Sequence, residues 1–446
     1  MDTPIADFLR SYAASGTARF HMPGHKGSGP LGCEALDITE IYGADSLYEA
    51  EGIIAKSEEN AQRLFGTGRT LYSTEGSSQC IRAMLQLILQ NRKPGTAPVI
   101  LAARNVHKAF IYAAALLDFR PEWLWPEGGS GSLLGCPISS RGVAAAMDVL
   151  PEPPAAVYIT SPDYLGNLAD IEAIAQAVHE RGSVLAVDNA HGAYLHFLES
   201  PLHPMDLGAD ICCDSAHKTL PVLTGGAYLH ISKKAPAAFA KNSRQAMALF
   251  GSTSPSYLTM ASLDACNAYL AGSFKQELAE TVKELAELKE RLRSRGWGVE
   301  DSDPLRLTIA APEGISGREL AQRLRGKGRE CEHADGDHLV LMFTPANTAE
   351  ELGRLELALG SAPAAPAKAK PLPLAKGERV MPVRRAMFAP QETVPAEKAL
   401  GRICGAPTVS CPPAVPIAVS GERIGREAIA LFARYSMKTV DVVKEP

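Results

Sequence analysis

The segment Asp210-Ile211-Cys212-Cys213-Asp214-Ser215-Ala216-His217-Lys218-Thr219 sets a lysine beside serine, histidine and threonine, directly after an apolar stretch. An amine becomes a good imine former when its surroundings lower its pKa, and the neighbouring hydroxyls and imidazole are groups that bind phosphate. Lys218 is thus a candidate for covalent attachment of a carbonyl compound; an exposed loop lysine is the plain alternative. Asp188 follows the apolar run 183–187, in Val187-Asp188-Asn189-Ala190-His191-Gly192. A carboxylate at the carboxyl end of a parallel strand lies where open α/β sheets bind ligands. There it can pair with a protonated pyridine nitrogen and keep a cofactor electron-poor, or it can simply cap a helix.

Ser73-Thr74-Glu75-Gly76-Ser77-Ser78 stands just before a run with Ile81, Met84, Leu85, Ile88 and Leu89 at helical spacing. Glycine and hydroxyls at a helix amino terminus make an anion site from free N–H groups and the positive end of the dipole, although plain capping needs the same residues. His107, in Arg104-Asn105-Val106-His107-Lys108, follows the apolar run Val99-Ile100-Leu101-Ala102. Its imidazole could stack on a flat cofactor or be structural. There is no Gly-x-x-x-x-Gly-Lys loop for a nucleoside triphosphate, and the histidines lack zinc-like pairing. In chain order the parts are a phosphate loop, a histidine, a strand-end aspartate and a lysine. Together they suffice to hold pyridoxal 5′-phosphate, and no metal is expected.

The elements that must position these residues alternate between about 70 and 250. Strands are predicted at 99–102, 156–160 and 183–187, and helices at 53–65, 78–90 and 171–181, the last ended by Gly182. Such alternation predicts an α/β fold, a mainly parallel sheet flanked by helices. A charged helix over 275–295 leads to a smaller α+β unit with strands at 305–309 and 338–343. Capping boxes at Ser316-x-x-Glu319 and Thr348-x-x-Glu351 open its two helices. Residues 361–376, rich in Ala, Pro and Lys, read as a stiff linker to a proline-dense C-terminal domain around Cys411-Pro412-Pro413. The expected division is 1–50, a glycine-rich irregular segment; 51–270, a large domain; 271–360, a small domain; 361–376, the linker; and 377–446, the C-terminal domain.

The 446 residues suit two to four domains at about 150 residues each, and a chain this long can bury large cores without staples. With 46% hydrophobic and 21% charged residues the composition is that of a soluble globular protein. The net charge of −5 argues against a general nucleic-acid binder. No apolar run is long enough to span a bilayer, and the acidic start lacks a signal-peptide core. The nine scattered cysteines contain no Cys-x-x-Cys pair, so reduced thiols in a cytoplasmic protein are expected.

The sequence resembles the fold-type I, pyridoxal-phosphate-dependent ornithine/lysine/arginine decarboxylases, whose fold is aspartate aminotransferase-like. The short bacterial members without an amino-terminal wing domain are the most similar. The resemblance covers nearly the whole chain. It rests on Phe20-His21-Met22-Pro23-Gly24-His25-Lys26-Gly27, Asp37-Ile38-Thr39-Glu40, Thr74-Glu75-Gly76-Ser77-Ser78, Arg104–Lys108, Asp188–Gly192 and Ser215-Ala216-His217-Lys218-Thr219-Leu220-Pro221. Ser252-Thr253-Ser254-Pro255-Ser256-Tyr257 and Pro412-Pro413-Ala414-Val415-Pro416 with Gly421-Glu422 extend it.

The resemblance implies that Lys218 forms the Schiff base, Asp188 pairs with the ring nitrogen and His107 stacks on the ring. It implies that Ser77, Ser78, Ser215 and His217 hold the phosphate and that His191 lies near the ring substituents. Thr253 and Ser254 would reach a phosphate in a neighbouring subunit, making an obligate homodimer. Glu422 would meet the distal cation of a basic amino-acid substrate, and Lys218 or His217 would return a proton to the α carbon. The product would be a diamine or agmatine, supplying polyamine synthesis.

Two departures stand out. Ser161-Pro162-Asp163-Tyr164 replaces a usual Thr-Tyr, which puts the Asp163 carboxylate near the expected cofactor and makes it a second candidate for substrate choice. Leu223-Thr224-Gly225-Gly226 replaces a usual Thr-Gln-Gly. Transamination or β-elimination on the same scaffold is the alternative enzyme reading, with Arg306 or Arg323 as a grip for the α-carboxylate; a catalytically silent cofactor-binding regulator is the other alternative.

Overall fold

The computed structural model describes residues 1–128, 131–367, 372–373, 375–408 and 414–445. The Cys411-Pro412-Pro413 segment and positions 368–371 and 374 of the expected linker lie outside them. Two compact units make up the chain, one of residues 1–96 and 171–279, the other of residues 97–170 and 280–446. Seven strands come first: β1 (Arg69–Ser73), β2 (Val99–Ala103), β3 (Arg120–Leu124), β4 (Ala156–Thr160), β5 (Val184–Asp188), β6 (Ile211–Asp214) and β7 (Ala227–Ile231).

In the first unit the order is β1-β7-β6-β5, with β5 and β6 parallel and β7 antiparallel to both β6 and β1. These strands are buried along almost their whole length, as expected where both faces of a sheet are covered. Helix Gly76–Gln90 packs on β6 and β7 through the predicted face, where Ile81, Met84 and Leu85 have no exposure. Helix Pro4–Ala14 has no cap of its own; the Asp264 carboxylate of helix Tyr257–Leu270 accepts the N–H groups of Ile5 (2.9 Å) and Ala6 (3.0 Å) instead. The expected irregular segment 1–50 is therefore helical at its start, while the stretch carrying His21 to Gly27 is irregular, and Phe20 and Tyr42 are fully open to solvent.

In the second unit β2 pairs in parallel with both β3 and β4. Four more strands, β8 (Gly298–Val299), β9 (Arg306–Ala310), β10 (His333–Ala334) and β11 (His338–Met342), form an antiparallel sheet in the order β10-β11-β9-β8. Helices Gly317–Arg325 and Ala349–Leu359 each begin with the capping box expected of them, at Ser316/Glu319 and Thr348/Glu351. Leu285, Leu288, Leu292, Trp297, Leu307 and Leu339 centre their common core. The terminal region pairs β12 (Gln391–Pro395) with β13 (Thr439–Val443). The expected charged helix is Phe274–Ser294, and the boundary between the units falls within it.

Candidate active site

Strand register decides which residues share an edge of the first unit. In the parallel pair, Asp188 lies opposite Cys213. Across the antiparallel pairs, Asp214 faces Tyr228 and Ser73 faces Ala227. The carboxyl ends of β1, β5 and β6 therefore emerge side by side. The loops that follow them, 74–78, 189–192 and 215–226, carry the predicted residues.

After β1 the chain turns at Gly76, whose φ of +70° suits glycine, and enters its helix with Ser77 and Ser78 in the first turn. Ser73 supports the turn by donating to the Gly76 carbonyl at 3.0 Å. Ser215 follows β6 and donates to the Ser77 hydroxyl at 2.9 Å, so two expected phosphate ligands meet across the loops. The amino terminus of this helix and these hydroxyls are the kinds of groups that make an anion cradle.

One residue that the sequence marked only as a departure, Gly225, closes this cradle. The Gly225 carbonyl accepts the Gly76 N–H at 2.7 Å, and Gly225 has a φ of +96°. A Cβ on Gly225 would sit 2.6 Å from the Thr74 carbonyl oxygen, so the close approach of these backbones requires glycine.

Lys218 lies in the short helix Ala216–Thr219, and its Nζ is 3.1 Å from His191 Nε2. Asp188 is buried at the end of β5; its Oδ1 accepts the Ala190 N–H at 3.2 Å and lies 3.8 Å from Cys213 Sγ. His217 is fixed by its Nδ1, 3.0 Å from the Gly226 carbonyl. Burial and, to a smaller degree, the charge of Lys218 push its pKa down against that bond. Thr253 and Ser254 are exposed, in a loop whose Ser252 N–H donates to Glu75. The structure thus brings together Ser77, Ser78, Asp188, His191, Ser215, His217 and Lys218.

His107, Asp163 and Glu422 belong to the second unit. His107 caps helix Lys108–Leu117, its Nδ1 accepting the Ala109 N–H at 3.2 Å. Asp163 was expected to face substrate, but its carboxylate is turned into its own loop. Oδ1 accepts from Leu165 N (3.0 Å) and Asn167 N (2.9 Å), and Oδ2 from Asn167 Nδ2 (2.8 Å). Burial pushes its pKa up to about 6.

Glu422, expected to meet a substrate cation, has both oxygens engaged instead. Oε1 and Oε2 each lie 2.7 Å from the Arg104 guanidinium, and Oε2 also accepts the Val419 N–H at 2.9 Å. Arg104 is sandwiched between Trp123 and Trp125, 4.6 and 4.7 Å from the ring centres. The arginines considered for a transaminase grip are not poised for one: buried Arg306 donates to the carbonyls of Asp163 and Tyr164, and Arg323 is exposed on its helix.

The chain belongs to the Orn/Lys/Arg decarboxylase family, whose major domain matches residues 3–312, and it is a carboxy-lyase with the fold-type I architecture. Among curated relatives, the uncharacterized protein YaaO of Bacillus subtilis (strain 168) is 29% identical over 469 residues, covering 98% of this chain and 95% of its own. The arginine decarboxylase of the same strain is 28% identical over 474 residues, covering 99% and 94%. Lysine decarboxylase A from Pseudomonas aeruginosa superposes with a TM-score of 0.81 at 18% identity, covering 99% of this chain and 80% of its own, a likeness of fold.

Proposed function

We propose that the chain removes the α-carboxyl group of a basic amino acid with pyridoxal 5′-phosphate as cofactor. The observation that carries this reading is the grouping, at one sheet edge, of the Lys218 amine with His191, the buried Asp188 carboxylate and the Ser77–Ser215 cradle. The donor set fits the cofactor: hydroxyls and helix N–H groups for a phosphate, a carboxylate for a protonated ring nitrogen, and a primary amine for an aldehyde. When bound, pyridoxal phosphate supplies an electron sink for the pair left by the departing carbon dioxide.

The residues do the rest. Ser77, Ser78, Ser215 and His217 would hold the phosphate end and Asp188 would hold a proton on the ring nitrogen; the family resemblance assigns the ring face to His107 of the second unit. Lys218 provides the attachment amine and, with it, the proton returned to the α carbon. His217 is the weaker donor because its Nδ1 is engaged by the Gly226 carbonyl. Relatives named arginine decarboxylase match over nearly their full length, so arginine is the first substrate to test, ahead of lysine and ornithine; agmatine or a diamine is the other product. The exposed Phe20, Met22, Leu31 and Tyr42 support a homodimer in which Thr253 and Ser254 serve the neighbouring site. The free state of all eight described cysteines fits a cytoplasmic protein.

The test is carbon dioxide release by purified protein with added pyridoxal phosphate, with arginine, lysine and ornithine assayed in parallel and Lys218→Ala as control. Release with one substrate, lost in the variant, supports the reading and names the substrate. Keto-acid formation without carbon dioxide contradicts it in favour of transamination.

A further inference from the structure

Beneath the loops just described lies a fully buried carboxylate that the reaction does not use. Asp214 ends β6 with no exposure, as do the His203 and His230 side chains around it. Its Oδ2 is 2.9 Å from His203 Nε2 and 3.2 Å from His230 Nε2, and its Oδ1 accepts the Asn189 side-chain amide at 2.7 Å. Two histidines and an aspartate are also metal-ligand types, yet the hydrogen bonds define a different device. The Met205 N–H donates to His203 Nδ1 at 3.2 Å, so that ring carries its proton on Nε2 and donates to Asp214 instead of offering a lone pair. His230 turns its Nε2 to the same acceptor-only oxygen, which calls for a proton on that nitrogen, and its Nδ1 lies 2.9 Å from Thr70 Oγ1. A buried charge persists only where donors compensate it, and here three converge on one carboxylate.

Position gives the network its meaning. Asn189 directly follows Asp188, and its own N–H donates to the Cys213 carbonyl at 3.0 Å. Asp214 directly precedes Ser215, and Lys218 lies one helical turn further on. The loop around Asn189 is closed over the amide: Gly192 N–H donates to the Asn189 carbonyl at 2.8 Å, and a Cβ on Gly192 would meet Asn189 Oδ1 at 2.1 Å. We propose that Asp214, anchored by His203 and His230, is a positioning residue that locks the Asp188–His191 loop to the Ser215–Lys218 loop through Asn189 and so sets the spacing between the Asp188 carboxylate and the Lys218 amine. The inference rests on the pyridoxal-phosphate reading above.

The test is a titration of cofactor-free protein with pyridoxal phosphate, reading dissociation constant and the pH at which the visible absorbance of the bound cofactor titrates. Wild type is compared with Asn189→Ala, Asp214→Asn and the double variant. Asn189→Ala leaves the carboxylate and both histidines in place, so it decides the matter even if Asp214→Asn does not fold. Each single variant is expected to weaken binding tenfold or more and to displace the titration, and the double variant to lose no more than the worse single, because both break one link. Binding and titration within twofold of wild type in Asn189→Ala, whatever happens to its Tm, overturns the proposal, as does a double loss equal to the product of the singles. A wild-type protein that binds no pyridoxal phosphate overturns the functional reading itself, which separates the two failures.

Discussion

Replacing Glu422 by glutamine separates two roles for this residue. In the structure its carboxylate takes a two-pronged bond from Arg104, both contacts 2.7 Å, with side-chain exposures of 0% for Arg104 and 6% for Glu422. Glutamine keeps the shape but removes the charge, and it turns an NH2 group toward the guanidinium. Breaking a buried pair on one side leaves an uncompensated charge and costs about 3–5 kcal/mol. At roughly 2–4 °C per kcal/mol for a unit of this size, Tm falls by about 6–20 °C. Removing both charges with Arg104→Met and Glu422→Leu recovers most of that loss, because well-packed apolar residues replace buried pairs at little net cost. Thermal and urea unfolding of the two variants measure it. A Glu422→Gln variant with unchanged Tm and a raised KM for the amino acid refutes the structural role and restores a substrate-binding one.

Three further predictions follow the same logic. His338 is pushed up to about 9: burial opposes its charge, but Asp335 and Glu300 outweigh burial. A raised histidine stabilises fully below its unfolded pKa of about 6.5, and that contribution is lost as pH rises to about 9, so Tm measured across this window should fall in wild type and stay flatter in His338→Gln. Asp163, at about 6, holds its proton better in the folded state than the unfolded one, so its contribution declines as pH rises from about 3.9 to about 6; Asp163→Asn should flatten Tm over that range while retaining the Oδ1 acceptor. Gly225→Ala forces a Cβ within 2.6 Å of the Thr74 carbonyl at a φ of +96° and should weaken pyridoxal-phosphate binding at least tenfold in the same titration, with unchanged affinity arguing against Gly225 as a wall of the cradle.

What was legible in the sequence was local. Helices Ile53–Leu64 and Gly76–Gln90 followed from apolar spacing, the two capping boxes from residues three apart, and β4 from an unbroken apolar run. The loops at one sheet edge were legible because each chemical residue follows an apolar strand, and strand ends are where such sheets expose groups. Glu422 was read as a substrate ligand because its partner lies 318 residues away, and no spacing rule reaches that far. Asp163 carries a usable signal of its own: an aspartate two residues before Leu165 and four before Asn167, with Gly166 between them at a φ of +95°, is a self-bonding turn. His203 and His230 gave none, since single histidines in apolar company acquire a role only when the fold places them around Asp214.

The central claim is that Lys218 is the amine that holds the cofactor, and borohydride reduction of the protein loaded with pyridoxal phosphate tests it most directly. Peptide mapping by mass spectrometry should find the reduced pyridoxyl group on the peptide containing Lys218, with no label retained in Lys218→Ala. Stoichiometric labelling of another lysine, or equal labelling of the Lys218→Ala variant, would contradict the account.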